Sequence, residues 1–534
     1  MIGRTCSYEL IDAIAGLPGP ALQDALGQLV RSGLVFERGV PPEASYTFKH
    51  ALVQEVAYNS LLRSRRAALH ARVVEVLGAR DPGIAEGHPD LLAYHCERAG
   101  FVEQAVENYM RAGGQALLRS AYVEAGRLYS DALRLTAALP DGDMRVEPEL
   151  RALTGLTRAL GRSLGFGSSE YGRIAVRAAE LCERQPNPLD FLRAQWDLWI
   201  FHTNRSDFTN ALKASAHLTR WGEERGDVRG HIFGHMSAGT TKLCLGEFVA
   251  ARADLELAIS MIESADPTVV WDPGGSWGHD RMLSDVRGHL ARPVCFLGYP
   301  DQALAHASAG VERSERLGAI GFVAHYCVNR LRLFATIWEQ SELDVRVAEA
   351  LGLCRDYALR DQIAVARIFE GYAIARRGDP RTGCAAIRAG IADYEAAGAV
   401  ISSGYYRALL AEMRARQGDT DEALAILTEV LLQAKRTGER WYDAELTREV
   451  GDVHRLEGDC DAAESHFAEA IKIARGQSAK LFELRAAVNL ARLWSGQGKR
   501  AEACELLAPI YEWFTEGFNL RDLKDAKALL SDLI

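Results

Sequence analysis

Near the C-terminal end of this chain three glycines, Gly418, Gly458 and Gly498, stand 40 residues apart. Each is followed five residues on by an alanine: Ala423, Ala463 and Ala503. Counted backwards, the beat passes through Gly378, is lost at Trp338 and returns at Gly298 with Ala303. Gly246 with Ala251 and Ser206 with Ala211 are again 40 apart, and the step of 52 from 246 to 298 marks an insertion of about a dozen residues. Gly100 with Ala105, and less perfectly Ala121 with Ala125, extend the pattern upstream. A period of this length restricts the chain to stacked structural units.

The local chemistry says what each unit is. Glycine supplies the left-handed residue that ends one helix, and a following Asp, Ser or Thr can cap the next. The alanine falls where two helices approach closely. Apolar residues continue at +4 and +7, as in Ala463/Phe467/Ala470, Ala105/Tyr109/Ala112 and Ala125/Tyr129/Ala132. This is a helical stripe and not a strand alternation. Each unit is then a helix–turn–helix pair that buries its apolar face only against its neighbours. The length of 534 residues, which taken alone suggests three or four domains, becomes one elongated stack with local contacts.

The Gly-x-x-x-x-Ala-x-x-x-aromatic-x-x-Ala pattern resembles the tetratricopeptide repeat (TPR). The resemblance implies an all-α, TPR-like α-solenoid over roughly 85–530, with helices or linkers longer than those of the usual unit of about 34 residues. Segments 79–140 carry the first repeats. Segment 141–360 is an irregular part of the solenoid with an insertion near 266–280, and 361–534 is its regular C-terminal part.

Composition narrows the function classes. The chain holds 62 Lys+Arg against 72 Asp+Glu, a formal net charge of −10, which disfavours non-specific nucleic-acid binding. Its ten cysteines are scattered without a C-x-x-C pair, so neither zinc spacing nor a disulfide frame is expected. The N-terminus lacks the basic and apolar regions of a signal peptide, and no stretch has the uncharged apolar length of a membrane span. The expectation is a cytoplasmic protein with no membrane contact.

Residues 1–78 do not follow the beat. Leu10, Ile11 and Ile14 form a short helical stripe broken by Pro18-Gly19-Pro20. Leu22, Leu26, Leu29 and Val30 form a second, stopped at Gly33. Leu34 to Arg38 and Tyr46 to Phe48 read as a hairpin around Pro41-Pro42. Helix, helix, hairpin, helix is the order of a winged helix, although any small helical bundle could carry the same stripes. The basic run Arg63-Ser64-Arg65-Arg66, with His70 and Arg72, is a phosphate-binding patch or a solvated helix face. Nine basic and seven acidic residues over 1–80 make a weak footprint for DNA.

The segment running from Tyr46-Thr47-Phe48-Lys49-His50 to Tyr58-Asn59-Ser60-Leu61-Leu62 resembles the winged-helix end of the switch-type regulatory (STAND) ATPase module of large bacterial signalling proteins. In these proteins a class III adenylate/guanylate cyclase domain, or sometimes a DNA-binding domain, precedes the ATPase and a TPR array. Gly438-Glu439-Arg440-Trp441-Tyr442-Asp443-Ala444-Glu445-Leu446, Glu483-Leu484-Arg485-Ala486-Ala487 and Trp513-Phe514-Thr515-Glu516-Gly517-Phe518 resemble their C-terminal region. The resemblance implies a non-catalytic regulatory segment, either truncated or with a misplaced gene start. No G-x-x-x-x-G-K-[ST] loop exists, since Gly496-Gln497-Gly498-Lys499 is a repeat turn. Nor are paired metal-binding aspartates of the cyclase type found. No enzyme activity, metal or resident cofactor is expected; ATP or ADP would enter only with an upstream P-loop domain. His50 occupies the position whose histidine contacts the nucleotide β-phosphate in such ATPases; the alternative is an ordinary histidine at a helix start.

Aligning the repeat places Gly451 at its tight-packing position and sets a groove-facing series: Tyr405, Glu412, Glu445, Arg448, Asp452, Arg455, Arg485 and Arg492. Such inner surfaces bind protein or small-ligand partners; the alternative is a set of ion pairs among exposed side chains. The loop Trp271 to Asp280 is a ligand lid or a connector whose tryptophans pack on the next repeat. Trp196, Trp199 and Phe201 are assigned to the core. The leading function is a sensor that gates an attached enzyme. A freestanding scaffold and a transcription regulator using 1–78 for DNA are the alternatives.

Overall fold

The computed structural model describes residues 5–80, 86–183, 187–266, 269, 278–316, 320–337, 340–356 and 359–533. They form 26 helices and three short strands, in two compact units, Met1–Ala159 and Leu160–Ile534. No helix among them is long and apolar enough to cross a membrane. None of the ten cysteines is in a disulfide.

The first unit opens with strand β1 (Thr5–Ser7), which leads directly into the helix Tyr8–Ala15. Ser7 Oγ accepts the Leu10 amide at 3.3 Å, a side-chain N-cap. The helix Gly19–Arg31, strands β2 (Val35–Arg38) and β3 (Ser45–Phe48), and helices Ala51–Asn59 and Arg63–Arg80 follow. The hairpin and its flanking helices lie where the sequence puts them. Strand β1 is additional: it pairs antiparallel with β3, Thr5 opposite Thr47, in a sheet of order β1-β3-β2. Tyr8, Leu22, Leu26, Val35 and Tyr46 form the core beneath it. Helices Pro89–Ala99, Val102–Leu118 and Tyr122–Thr136 then stack as repeats. Ala105, Tyr109 and Ala112, and likewise Ala125, Tyr129 and Ala132, are buried along the anticipated stripes.

The second unit is a TPR-like solenoid. Its helices pair as Pro188–Asn204 with Phe208–Arg225, Val228–Cys244 with Phe248–Ser264, His279–Phe296 with Pro300–Arg316, and so on to Lys480–Gly496 with Arg500–Glu512. The turn glycines Gly246, Gly298, Gly378, Gly418, Gly458 and Gly498 lie at φ between 79° and 110°, and Ser206 takes the same role at 55°. Where the motif is lost at Trp338 the pairing persists, as Ile320–Thr336 with Gln340–Asp356. Burial of the helix faces carries the repeat where the turn signature does not. The loop tryptophans Trp271 and Trp277 lie outside the described residues.

The expectation of an elongated stack with purely local contacts fails for this unit. Val400 donates its amide to Asn204 O at 2.8 Å and Arg440 to Cys244 O at 2.8 Å, links spanning roughly 200 residues, or about five repeats. Glu516 accepts the amides of Asp301 and Gln302 at 2.9 and 3.0 Å, while Asp301 accepts that of Gly517 at 3.0 Å. Successive superhelical turns therefore touch. The links engage carbonyls at the ends of Pro188–Asn204 and Val228–Cys244 and amides at the start of Pro300–Arg316, groups without intrahelical partners.

Candidate functional site: a cavity at the centre of the superhelix

Tight winding turns the first helices of five successive repeats toward one centre. Trp196, Trp199, Ile200 and Thr203 face it from Pro188–Asn204, and Met236, Thr240 and Leu243 from Val228–Cys244. Arg281, Asp285, His289 and Arg292 come from His279–Phe296, His325, Asn329 and Arg332 from Ile320–Thr336, and Gln362 and Val365 from Arg360–Arg376. Residues 394–402 close the wall against Gly165 and Phe166. Its volume is about 250 Å³. That is near the lower end for small-ligand sites, and its mixture of aromatic surface with a few convergent polar groups is typical of them.

The apolar side of the cavity is aromatic. Trp196 and Trp199 pack at 4.5 Å between ring centroids, and the Trp199 indole donates to Thr241 Oγ1 at 3.0 Å. These two tryptophans are buried, as the sequence suggests, and they also line the cavity. Phe201 instead packs toward Gly172.

The polar side is basic. Arg281 lies 4.0 Å from Asp285, which also accepts the Tyr326 hydroxyl. Burial lowers the Arg281 pKa to about 10, with Asp285 acting in the opposite direction. Arg332 donates to neutral oxygens, Tyr406 Oη at 2.6 and 3.0 Å and Asn329 Oδ1 at 2.5 Å. Arg292 lies over the Trp441 ring at 4.3 Å, and its Nη2 is buried with no hydrogen-bond partner among the described residues. Burial and the nearby Arg332 both lower its pKa. His289 and His325 are pushed down by burial and so are neutral near pH 7. The Asn329 amide meets His325 Nε2 at 2.9 Å.

The sequence carries a signal for this site that lies outside the repeat pattern. Arg281, Asp285, Gly288, His289 and Arg292 recur at helical spacing along one face of a helix buried on its others, as do His325, Asn329 and Arg332. Polar stripes on otherwise enclosed helices need a polar destination.

The residues expected to face a groove divide into two groups. Glu445, Arg448 and Arg485 are 1%, 5% and 4% exposed and are joined in an ion-pair network. Arg448 Nε meets Glu445 at 3.0 Å, while Arg485 reaches Glu445 at 3.2 Å and Asp522 at 2.8 Å. Tyr405 is buried with its ring 5.1 Å from Trp441. Glu412, Asp452 and Arg455 line a surface depression of about 630 Å³. Asp452, Arg455 and Arg492 line a neighbouring one of about 470 Å³.

In the first unit, His50 is exposed at the start of Ala51–Asn59 and makes no side-chain cap. His70 does not join the exposed basic run: it is wholly buried, with Nδ1 at 2.9 Å from Nδ1 of His95. Arg66 lies over the Tyr58 ring at 5.1 Å and Arg72 donates to Ala13 O at 3.0 Å. Arg63, Arg65 and Arg72 are exposed. His279 contacts Ile262 O at 2.8 Å, and Asp280 accepts from Arg313 Nε at 2.8 Å. No group of three or more His, Cys, Asp or Glu side chains suited to a metal ion occurs among the described residues.

Tetratricopeptide-repeat family models match residues 404–476 and 484–509. An uncharacterized protein of Rhizobium meliloti (strain 1021) is 25% identical over 482 residues, which is 89% of this chain and 46% of that protein. The chain thus spans about half the length of the curated relative it matches. Among solved structures, a Rap protein complexed with competence and sporulation factor is 12% identical, with a TM-score of 0.47 over 72% of this chain and 99% of that one. A STAND protein with a tetratricopeptide repeat sensor from Pyrococcus horikoshii is 14% identical, with a TM-score of 0.31 over 99% of this chain and 62% of that one.

Proposed function

We propose that this chain is the non-catalytic sensor portion of a longer signalling protein, and that its second unit binds a small ligand at the centre of the superhelix. One observation carries the reading: the cavity wall is assembled from five successive repeats and from the 394–402 segment that closes the turn. A ligand there touches every repeat of one turn, so its binding energy is available to tighten or loosen the whole coil. The shorter span relative to the Rhizobium protein supports a larger assembly. In that assembly residues 1–78 act as the winged-helix end of a nucleotide-switch ATPase, with His50 directed to a phosphate supplied with the missing domain. A cyclase-type output domain is the corresponding proposal for the rest of the protein.

Fragment screening by saturation-transfer NMR tests the cavity. Ile200 lines it and retains some accessible surface, so Ile200→Trp should fill it without disturbing the helix. Thr240→Phe serves as a second filling variant. A set of fragments bound by the wild type and lost in a variant of unchanged circular dichroism is expected. Identical hits in all three proteins refute the reading.

The depressions around Asp452 and Arg455 favour a second reading, a scaffold that docks a protein partner. Reversing Arg448 or Arg485 does not test it, because both are buried ion-pair partners. Arg455 and Arg492 are exposed, and Arg455→Glu with Arg492→Glu should weaken partner pull-down while the fold is retained. Unchanged capture removes that surface from consideration.

A further inference from the structure

The wall of the cavity carries more positive charge than the protein balances. Asp285, its only carboxylate among the described residues, is engaged by Arg281 and Tyr326. Arg332 is bonded to a phenol and an amide, and Arg292 to a tryptophan face. Neither has a carboxylate within ion-pair distance among the described residues. Glu439, whose charge acts on Arg292, accepts the Ser402 amide at 2.9 Å and the Trp441 indole at 2.8 Å. Buried charges are normally paired, because an unpaired one keeps its desolvation cost without a compensating attraction. Two adjacent guanidiniums, one with an unmet donor and both at the edge of an aromatic cavity, constitute the half of an ion pair that remains when its partner is a ligand.

Resting on the ligand-sensor reading above, we infer that the cavity takes a small organic anion, with a carboxylate or phosphate head held by Arg292 and Arg332 and an apolar body against Trp196 and Trp199. The volume of about 250 Å³ suits a one- or two-ring molecule and not a folded partner. Neutral His289 and His325, with Asn329, supply hydrogen-bonding groups without adding charge that would have to be neutralised.

The test compares three probes that share a ring: benzoate, phenyl phosphate and the neutral isostere benzamide, titrated calorimetrically into the full chain. At least one anion should bind tenfold or more tightly than benzamide, and the stronger of the two identifies the head group. Arg292→Met and Arg332→Met should each abolish that preference, while Arg292→Lys keeps part of it. Without ligand, the thermal midpoint of Arg292→Met should not fall, because the substitution removes an uncompensated buried charge; a purely structural arginine would lower it. Equal binding of benzamide and both anions, absence of anion binding, or preference intact in both Met variants overturns the inference. If fragments are lost in Ile200→Trp but none is an anion, the cavity remains a ligand site and only the charge assignment fails. If no fragment is lost, the sensor reading itself falls.

Discussion

Arg485 shows how a side chain that the repeat directs to the inner face can become structural. Its guanidinium bridges Glu445 and Asp522, and it also donates to the carbonyl of Thr336. The bridge joins three helices of different repeats. Arg485→Met leaves Asp522 buried with its charge uncompensated, which should cost on the order of 3–5 kcal/mol. Urea denaturation should show the lower midpoint, and Arg485→Met combined with Asp522→Leu should recover much of it; a double variant no better than the single contradicts the ion-pair account. A second residue-scale test lies in the first unit, where His70 and His95 are buried with Nδ1 facing Nδ1. One ring must donate and the other accept, so the pair fits only while at least one is neutral. Burial lowers both pKa values to about 4, from about 6.5 when unfolded. The unfolded chain then binds more protons between those limits. The contribution to stability is complete above about pH 6.5 and is lost progressively as pH falls toward 4. Amide exchange in Arg63–Arg80 and Pro89–Ala99, corrected for the intrinsic rate, should accelerate over that range. Flat corrected rates would show that the pair is not protonated on opening.

At the scale of the helix pair, the periodicity of small and aromatic residues made the fold legible. Gly451 illustrates how literally it can be read: a Cβ there would stand 2.8 Å from the Phe467 ring and 3.1 Å from His466 Cβ. Gly451→Ala should cost about 1–3 kcal/mol through overpacking, and Phe467→Leu in the same chain should relieve part of the loss in the urea midpoint. The hairpin of the first unit was legible for the same local reasons, through Gly33 and the strand-forming runs on either side of Pro41-Pro42. Strand β1 was not, because three residues, Thr5 to Ser7, carry no periodicity and acquire their identity only from pairing with β3. The cavity was missed for a related reason. The repeat phase says which face of a helix points inward, but not how tightly the coil winds, so Arg292 and Arg332 could not be brought together by counting residues. Segments outside the repeat phase were the better guide. Gly438 to Leu446 and Trp513 to Phe518 include the Arg440–Cys244 and Glu516–Asp301 links between turns.

At the scale of the whole second unit, these links distinguish a wound coil from an open stack, and they can be released separately from the repeats. Gly167 and Gly398 meet backbone to backbone: a Cβ on Gly167 would stand 2.2 Å from Gly398 O. Gly167→Val therefore must separate the turns locally, while leaving the helix pairs and their buried stripes in place. The expected result is unchanged helicity by circular dichroism, faster amide exchange at 397–402 and loss of the fragments that require a closed cavity wall. Glu516→Ala acts at a second link by removing the acceptor for the Asp301 and Gln302 amides, at a cost of about 1 kcal/mol for a lost helix cap. It should accelerate exchange at the start of Pro300–Arg316 without touching the cavity. If ligand binding is coupled to winding, the wild-type ligand should slow exchange at both links, and Gly167→Val should weaken binding more than Glu516→Ala does. Equal affinity in Gly167→Val and wild type would mean that the cavity forms without turn closure, and that binding cannot be transmitted through it.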